Sequence, residues 1–239
     1  MSFRVSLPGA EVLFSTREGG FSEGAFESLN LGLLTGDDRE TVIRNRRRLA
    51  EVAGVVPENV AMGWQVHGTD IGEWGGPDPD TAFLDPQGGH LKVDGHLTRQ
   101  RGLAALVLVA DCLPVAIAGD GVVAMLHCGW RGLAAGIAAR GAAALGATHA
   151  AIGPGIGACC YEVGEEVLDA FADLGPGIAS GPMLDLATVA RLLLERAGVE
   201  RIEVAGLCTS CEPELFFSHR RDRGRTGRQA GLVRPEGSD

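Results

Sequence analysis

Apolar and polar positions change their rhythm along the chain. In the first third, short apolar runs alternate with turn chemistry until Asp37-Asp38 offers N-cap oxygens to a stretch whose Val42, Leu49 and Val52 keep a helical face as far as Gly54. Arg46, Arg47 and Arg48 fall on that helix and read as a solvated polar face, because three successive residues point in three directions around it. From Gly72 to Gly89 the chain is rich in Gly, Pro and Asp and reads as a long surface loop. The centre predicts strands at Leu103–Val109, Val115–Ala118 and Val122–Leu126, the last two joined by a turn at Gly119-Asp120-Gly121. Such continuous apolar strands imply burial on both faces. An alanine-rich helix is expected over Gly132–Leu145, with Gly136 and Gly141 marking close packing against the sheet. A short strand at Ala150–Ile152 then enters the turn-rich Gly153-Pro-Gly-Ile-Gly157, followed by helices at Gly164–Leu174 and Leu186–Ala197 and a strand at Ile202–Ala205. No period of roughly 20 to 50 residues repeats. The sum predicts an α/β fold, a mixed β-sheet layered with helices, in one domain over residues 1–239.

Composition narrows the function. With 239 residues, 45% of them hydrophobic and 22% charged, the chain can bury a substantial core without disulfides. Its net charge of −10 repels phosphate backbones and anionic lipid, which argues against nucleic-acid and membrane partners. The longest apolar stretch, Gly102 to Ala118, is broken by Asp111 and Pro114 and is too short to span a bilayer. The first residues show no basic segment followed by an apolar run of signal-peptide length. Six cysteines, among them the adjacent pair Cys159 and Cys160 and the spacing Cys208-Thr-Ser-Cys211, then sit best in a reducing cytoplasm, where thiols remain available for metal or catalysis.

The central hairpin carries the first chemical signal. A loop of two or three residues around Asp120 places Cys112 opposite Cys128 or Gly129 and within one or two places of His127. Cross-strand and diagonal neighbours lie about 5 to 8 Å apart, so a Cys sulfur and a His nitrogen there can share one metal ion. A third ligand is needed, and His67, in Trp64-Gln-Val-His-Gly-Thr69, and His96 are both candidates; spacing alone does not choose between them.

Seven ordered motifs extend the signal over nearly the whole chain: Ser15-Thr-Arg-Glu-Gly-Gly-Phe-Ser22, Ser28-Leu-Asn-Leu-Gly32, Gln65-Val-His-Gly68, Ala110-Asp-Cys-Leu-Pro114, His127-Cys-Gly-Trp-Arg-Gly132, Ile152-Gly-Pro154 with Cys160-Tyr-Glu-Val-Gly164, and Phe217-Ser-His-Arg-Arg-Asp222 with Thr226-Gly-Arg228. In these the chain resembles the multicopper polyphenol oxidase (laccase-like) or YfiH family, whose members are better described as zinc-dependent purine nucleoside phosphorylases. The resemblance implies that His67, Cys112 and His127 bind zinc, and that the fold is similar to that of toxin deamidases. Cys128 and His96 depart from the family pattern. Cys128 reads as a small core residue, and His96 as a structural histidine with a fourth ligand or proton carrier as the alternative.

A His2Cys set leaves a coordination position open, as in catalytic zinc sites. It also suits copper, but six histidines without a His-x-His pair do not supply the three-copper cluster of a true laccase. The implied substrates are phosphate and purine nucleosides: adenosine, inosine, guanosine and 5′-methylthioadenosine, with adenosine deamination as a second activity. Phosphorolysis needs anion-binding side chains, for which Arg17 is the first candidate and Arg131 and Arg220 follow. Asn30 is a candidate for ribose or base, Asp94 and Asp111 for accepting or relaying protons. The arginine-rich tail from His219 to Arg228 reads equally as a solvated terminus or, by the resemblance, as a segment that Phe216, Phe217 and His219 return to the site; removing Arg223 to Asp239 should separate the two. One Cys-x-x-Cys without a second pair is a weak zinc signal, so Cys208 and Cys211 are expected as structural thiols, with a redox pair or a second metal as alternatives. Three other functions remain open: a copper-dependent polyphenol oxidase without the laccase cluster, a cysteine hydrolase with Cys112 as nucleophile and His127 as base, and a peptidoglycan-editing factor. The resemblance makes a monomer the working expectation.

Overall fold

The computed structural model describes residues 2–77, 83–84 and 91–237. Its strands form two mixed sheets packed face to face. One is ordered β1 (Ser2–Leu7), β2 (Ala10–Ser15), β13 (Gln229–Pro235), β6 (Ala104–Val109) and β3 (Val60–Ala61). The other is ordered β12 (Arg201–Val204), β9 (His149–Ile152), β7 (Leu113–Gly119), β8 (Val122–Cys128), β5 (Gly95–Thr98) and β4 (Ile71–Trp74). A small hairpin, β10 (Ala179–Ser180) with β11 (Met183–Leu184), stands apart. The pairs β3 with β6, β4 with β5 and β9 with β12 are parallel, and the remaining pairs are antiparallel.

The period-two alternation of strands explains why the central segments are apolar throughout. On β7, Val115 and Ile117 face the helices while Ala116 and Ala118 face the other sheet; on β8, Ala124 and Leu126 take the first role and Val123 and Met125 the second. Between the sheets these residues meet Phe14, Val107 and Val233. Outside the first sheet, α1 (Arg39–Ala53) packs Leu49, Ala50 and Ala53 near Leu106 and Leu232. Outside the second lie α2 (Trp130–Ala134), α3 (Ile137–Leu145), α4 (Glu165–Asp169) and α5 (Leu186–Arg196), contributing Ile137, Ala142, Val189 and Leu194. The result is helix, sheet, sheet, helices. The expected mixed α/β architecture is therefore distributed over two sheets.

The central hairpin has the expected register. Gly119 pairs with Val122 and Pro114 with His127, so the turn is the two residues Asp120-Gly121, with Gly121 at φ 67° in the left-handed region that glycine takes without steric cost.

Several expectations are corrected. Arg46 is buried, not solvated: its Nε donates to the carbonyl of Leu31 and its Nη1 to that of Phe83, whereas Arg47 and Arg48 are exposed. Val52 leaves the buried helix face, which consists of Val42, Asn45, Arg46, Leu49, Ala50 and Ala53. Gly72–Trp74 belong to β4 rather than to the loop, and Phe83 is buried; residues 78–82 and 85–89 of that loop lie outside the described residues. The helix expected over Gly132–Leu145 is interrupted because Gly136, at φ 97°, has left-handed backbone, which ends α2 and starts α3. Gly141 does mark close packing, since a Cβ there would meet Leu126 Cδ1 at 2.7 Å. The helix expected over Gly164–Leu174 is α4 followed by a 3-10 turn at Ala172–Leu174.

Candidate metal centre and its cavity

The site forms where the strands of the second sheet begin and end. Cys112 immediately precedes β7, His127 is on β8, and His67 occupies a tight turn at φ 59°. A non-glycine residue in that region of backbone space is costly and persists only where its surroundings enforce it. Here Asp94, wholly buried before β5, accepts the backbone N–H groups of Val66 (3.0 Å), His67 (2.9 Å) and Gly68 (2.7 Å). The same carboxylate lies 2.7 Å from His127 Nδ1. One buried acid thus shapes the turn carrying one histidine and orients the ring of the other.

The ligand atoms of His67, Cys112 and His127 all lie within 4.8 Å of one another, with Cys112 Sγ 3.9 Å from His67 Nε2. The set fits a single ion bound through nitrogen and sulfur at about 2.0 to 2.3 Å. Asp94 occupies His127 Nδ1 and leaves Nε2 for coordination, an outer partner typical of metal-ligating histidines. Gly129 keeps the space clear, because a Cβ there would meet Cys112 Sγ at 3.0 Å and His67 Cδ2 at 3.1 Å. Burial opposes ionisation of Cys112, but the charge of His127 and hydrogen bonds from both histidines bring its thiol down to about 6. Burial likewise opposes charge on His127, and Cys112 with Asp94 outweighs it, raising that imidazole. Burial of Asp94 is outweighed by His127 and by the N–H groups of Gly68 and Val66, holding its carboxyl at about 2.

These three ligands line a cavity of about 620 Å³, within the range of small-molecule sites. Four arginines also line it: Arg46, Arg131, Arg220 and Arg228. Trp64, Trp130 and Tyr161 add aromatic surface, with Arg131 stacked over Trp130 at 4.4 Å and Arg220 over Tyr161 at 5.3 Å. His219 completes the tail's contribution.

The remaining residues singled out from sequence fall into distinct places. Asp111 lines the cavity at φ 90°, its Oδ1 accepting from Thr209 Oγ1 and its Oδ2 from the backbone N–H of Arg220, each at 2.7 Å. Asp94 does not line the cavity and acts on it only through His127 and the His67 turn. Arg17 lies outside the lining: its Nε donates to the Glu27 carbonyl, its Nη1 to that of Pro213, and its guanidinium covers Phe217, so it fastens loops. Asn30 is buried and also outside; its Oδ1 accepts the N–H groups of Gly32 and Arg228, both cavity residues, and its Nδ2 donates to Thr35 and Asp37. His96 is buried away from the ligand set, with Nδ1 accepting from Trp74 Nε1 at 3.2 Å, and Cys128 is a core residue. Sequence reasoning missed Arg46 because a helix face does not announce a carbonyl-lined pocket. It passed over Arg228 as one of five tail arginines, although Thr226-Gly-Arg228 had been singled out as a motif.

Fold and site together define a mixed α/β protein with a His–Cys–His centre in a cationic cavity. The chain belongs to the family described as multi-copper polyphenol oxidoreductase laccase, the YfiH family, which matches residues 11–236. It is 40% identical to a purine nucleoside phosphorylase, YlmD, of Geobacillus stearothermophilus, over 94% of this chain and 90% of that one. It is also 40% identical to a purine nucleoside phosphorylase of Streptomyces coelicolor, over 96% and 97%. The crystal structure of the Geobacillus YlmD superposes with a TM-score of 0.86 at 39% identity, covering 96% of this chain and 93% of the other. That of YfiH from Bacillus licheniformis gives 0.85 at 35%, covering 95% and 93%. No described helix is long and apolar enough to cross a membrane.

Proposed function

We propose that residues 1–239 form one catalytic domain, a zinc-dependent purine nucleoside phosphorylase acting as a monomer in the cytoplasm. The observation that carries the reading is a potential metal centre sharing one cavity with four arginines, in a chain otherwise strongly acidic. The named activity of its relatives supports the same reading. Adenosine, inosine, guanosine and 5′-methylthioadenosine are the proposed substrates, with adenosine deamination a second activity of the same cavity.

His67, Cys112 and His127 would hold the ion, which as a Lewis acid would stabilise negative charge developing on a bound substrate. Arg131, Arg220 and Arg228 bind phosphate, since guanidinium forks match its oxygens. Trp64, Trp130 and Tyr161 supply apolar surface for the purine and exclude water around it. His219 is positioned to exchange a proton with the departing base. Asp94, Asp111 and Asn30 are positioning residues, acting through His127, the 209–220 segment and Arg228 respectively.

The test combines metal analysis with assays of adenosine and inosine, with and without phosphate. Phosphate-dependent release of free base that is lost together with zinc in Cys112→Ala supports the proposal; release of free base without phosphate, or full activity without metal, overturns it. Arg228→Ala should raise the KM for phosphate ~10-fold or more while leaving the fold intact. A second reading has its own support, because the depressed thiol of Cys112, with His127 and Asp94 behind it, also suits a nucleophilic cysteine. Thiol-dependent hydrolysis by metal-free protein would favour that reading, and copper content with phenol oxidation would favour a polyphenol oxidase.

A further inference from the structure

Four of the six cysteines converge on the far side of the cavity wall. Cys159 and Cys160 follow the Gly153–Gly157 loop, and Cys208 and Cys211 lie beyond β12; their sulfurs all lie within 4.8 Å of one another. Cys211 Sγ is 3.3 Å from Cys159 Sγ and 3.4 Å from Cys160 Sγ. These separations are too long for disulfide bonds, and all four residues are free thiols. The adjacent pair thus supplies what the lone Cys-x-x-Cys lacked.

We propose that Cys159, Cys160, Cys208 and Cys211 bind a second metal ion, a mononuclear zinc in a tetrahedral four-thiolate site. A regular tetrahedron with Zn–S bonds of about 2.3 Å has sulfur–sulfur edges of about 3.8 Å, close to the spacing here. A polynuclear iron–sulfur core places inorganic sulfide between its irons and spreads its thiolates wider. The backbone is also prepared for a charged sulfur cluster: the Gly157 N–H donates to Cys208 Sγ at 3.2 Å. Side-chain space has been cleared as well, since a Cβ on Gly157 would meet Cys208 Cβ at 3.2 Å and Cys159 Sγ at 3.3 Å. With four protein ligands no coordination position is left open, which makes the site structural. Each thiol loses its proton as the ion binds.

The ion would clamp two segments that build the cavity. Tyr161, next to Cys160, lines it. Thr209, inside the Cys-x-x-Cys loop, donates to Asp111 beside the ligand Cys112, and its carbonyl accepts from Arg221 Nη1. The second site therefore braces the first without taking part in its chemistry, and its existence does not depend on the proposed phosphorylase activity.

The full chain, produced with zinc and isolated under reducing conditions, should contain about two zinc ions. Cys112→Ala and the double variant Cys208→Ser/Cys211→Ser should each contain about one. Cys112→Ala loaded with cobalt(II) should show the sulfur-to-metal charge-transfer and intense visible bands of a four-thiolate tetrahedral site. That spectrum decides the matter even where the double serine variant does not fold, because the cluster is intact in Cys112→Ala. Absence of the bands, a wild-type content of about one ion lost entirely in Cys112→Ala, or a disulfide among the four cysteines in the zinc-supplied protein would overturn the proposal.

Discussion

Asp94 carries more of the candidate centre than any ligand does, because three backbone N–H groups and one imidazole converge on its two oxygens. Asp94→Asn replaces one acceptor oxygen with a donor, so the His67 turn and the His127 ring cannot both keep their partners. Zinc affinity should fall ~10- to 100-fold, read by competition with a chromophoric chelator, while circular dichroism remains that of the folded chain. His96 shows the opposite treatment of a buried titratable group. Its Nε2 has no hydrogen-bond partner among the described residues, and burial holds the imidazole at about 4, with the charge of Asp94 opposing that shift only weakly. Between its ordinary value of 6.5 and about 4 the unfolded chain binds the extra proton and the folded chain does not, so stability falls on acidification across that window. The loss should approach, and not exceed, roughly 1.4 kcal/mol per pH unit. Urea unfolding of His96→Leu should show a shallower slope there; an unchanged slope would assign the acid sensitivity to other groups. Gly129→Ala tests the room left for the ion, and metal affinity should drop more than thermal stability does.

At the level of elements, the β7–β8 hairpin was legible because an Asp-Gly turn fixes register, and register fixes which side chains face each other. Cys112 and His127 could therefore be brought together from sequence, while the family resemblance selected His67, whose turn depends on a carboxylate 27 residues away along the chain. Although Pro8-Gly9 joins β1 to β2 as a hairpin, β13 carried no comparable local signal, since its partners β2 and β6 lie far from it along the chain and its burial follows from sheet packing. For the same reason Arg17 looked like a phosphate ligand: Gly19 and Gly20 suggested close approach, and nothing local disclosed Phe217 or the Pro213 carbonyl. The packing of the two sheets sets a further expectation. A Cβ on Gly231 of β13 would lie 2.5 Å from Pro114 Cβ and 3.0 Å from Met125 Sδ across the interface. Gly231→Ala should cost about 1 to 3 kcal/mol by overpacking, measured by denaturant titration, with zinc content retained in whatever fraction folds.

For the whole molecule, four layers hold the cavity at the ends of strands drawn from both sheets, so the site and the core share Val109 on β6 and Cys112 at the entry to β7. The tail is part of that plan and not a solvated appendage: Phe216 and Phe217 are fully buried, and β13 lies between β2 and β6. Removal of residues from Arg223 onward deletes this interior strand, and the truncated chain should be recovered unfolded or aggregated, as judged by loss of cooperative melting. The truncation cannot then separate a catalytic tail from an idle one; Arg228→Ala can. The position of β13 also bears on how the protein is made. Synthesis delivers β2 first, yet the neighbour that covers its inner edge comes after almost every other element has left the ribosome. Until then β2 and β6 each present an unpaired edge, the form in which nascent chains are captured by one another, so the cell's chaperones have a defined target and a defined interval in which to hold it.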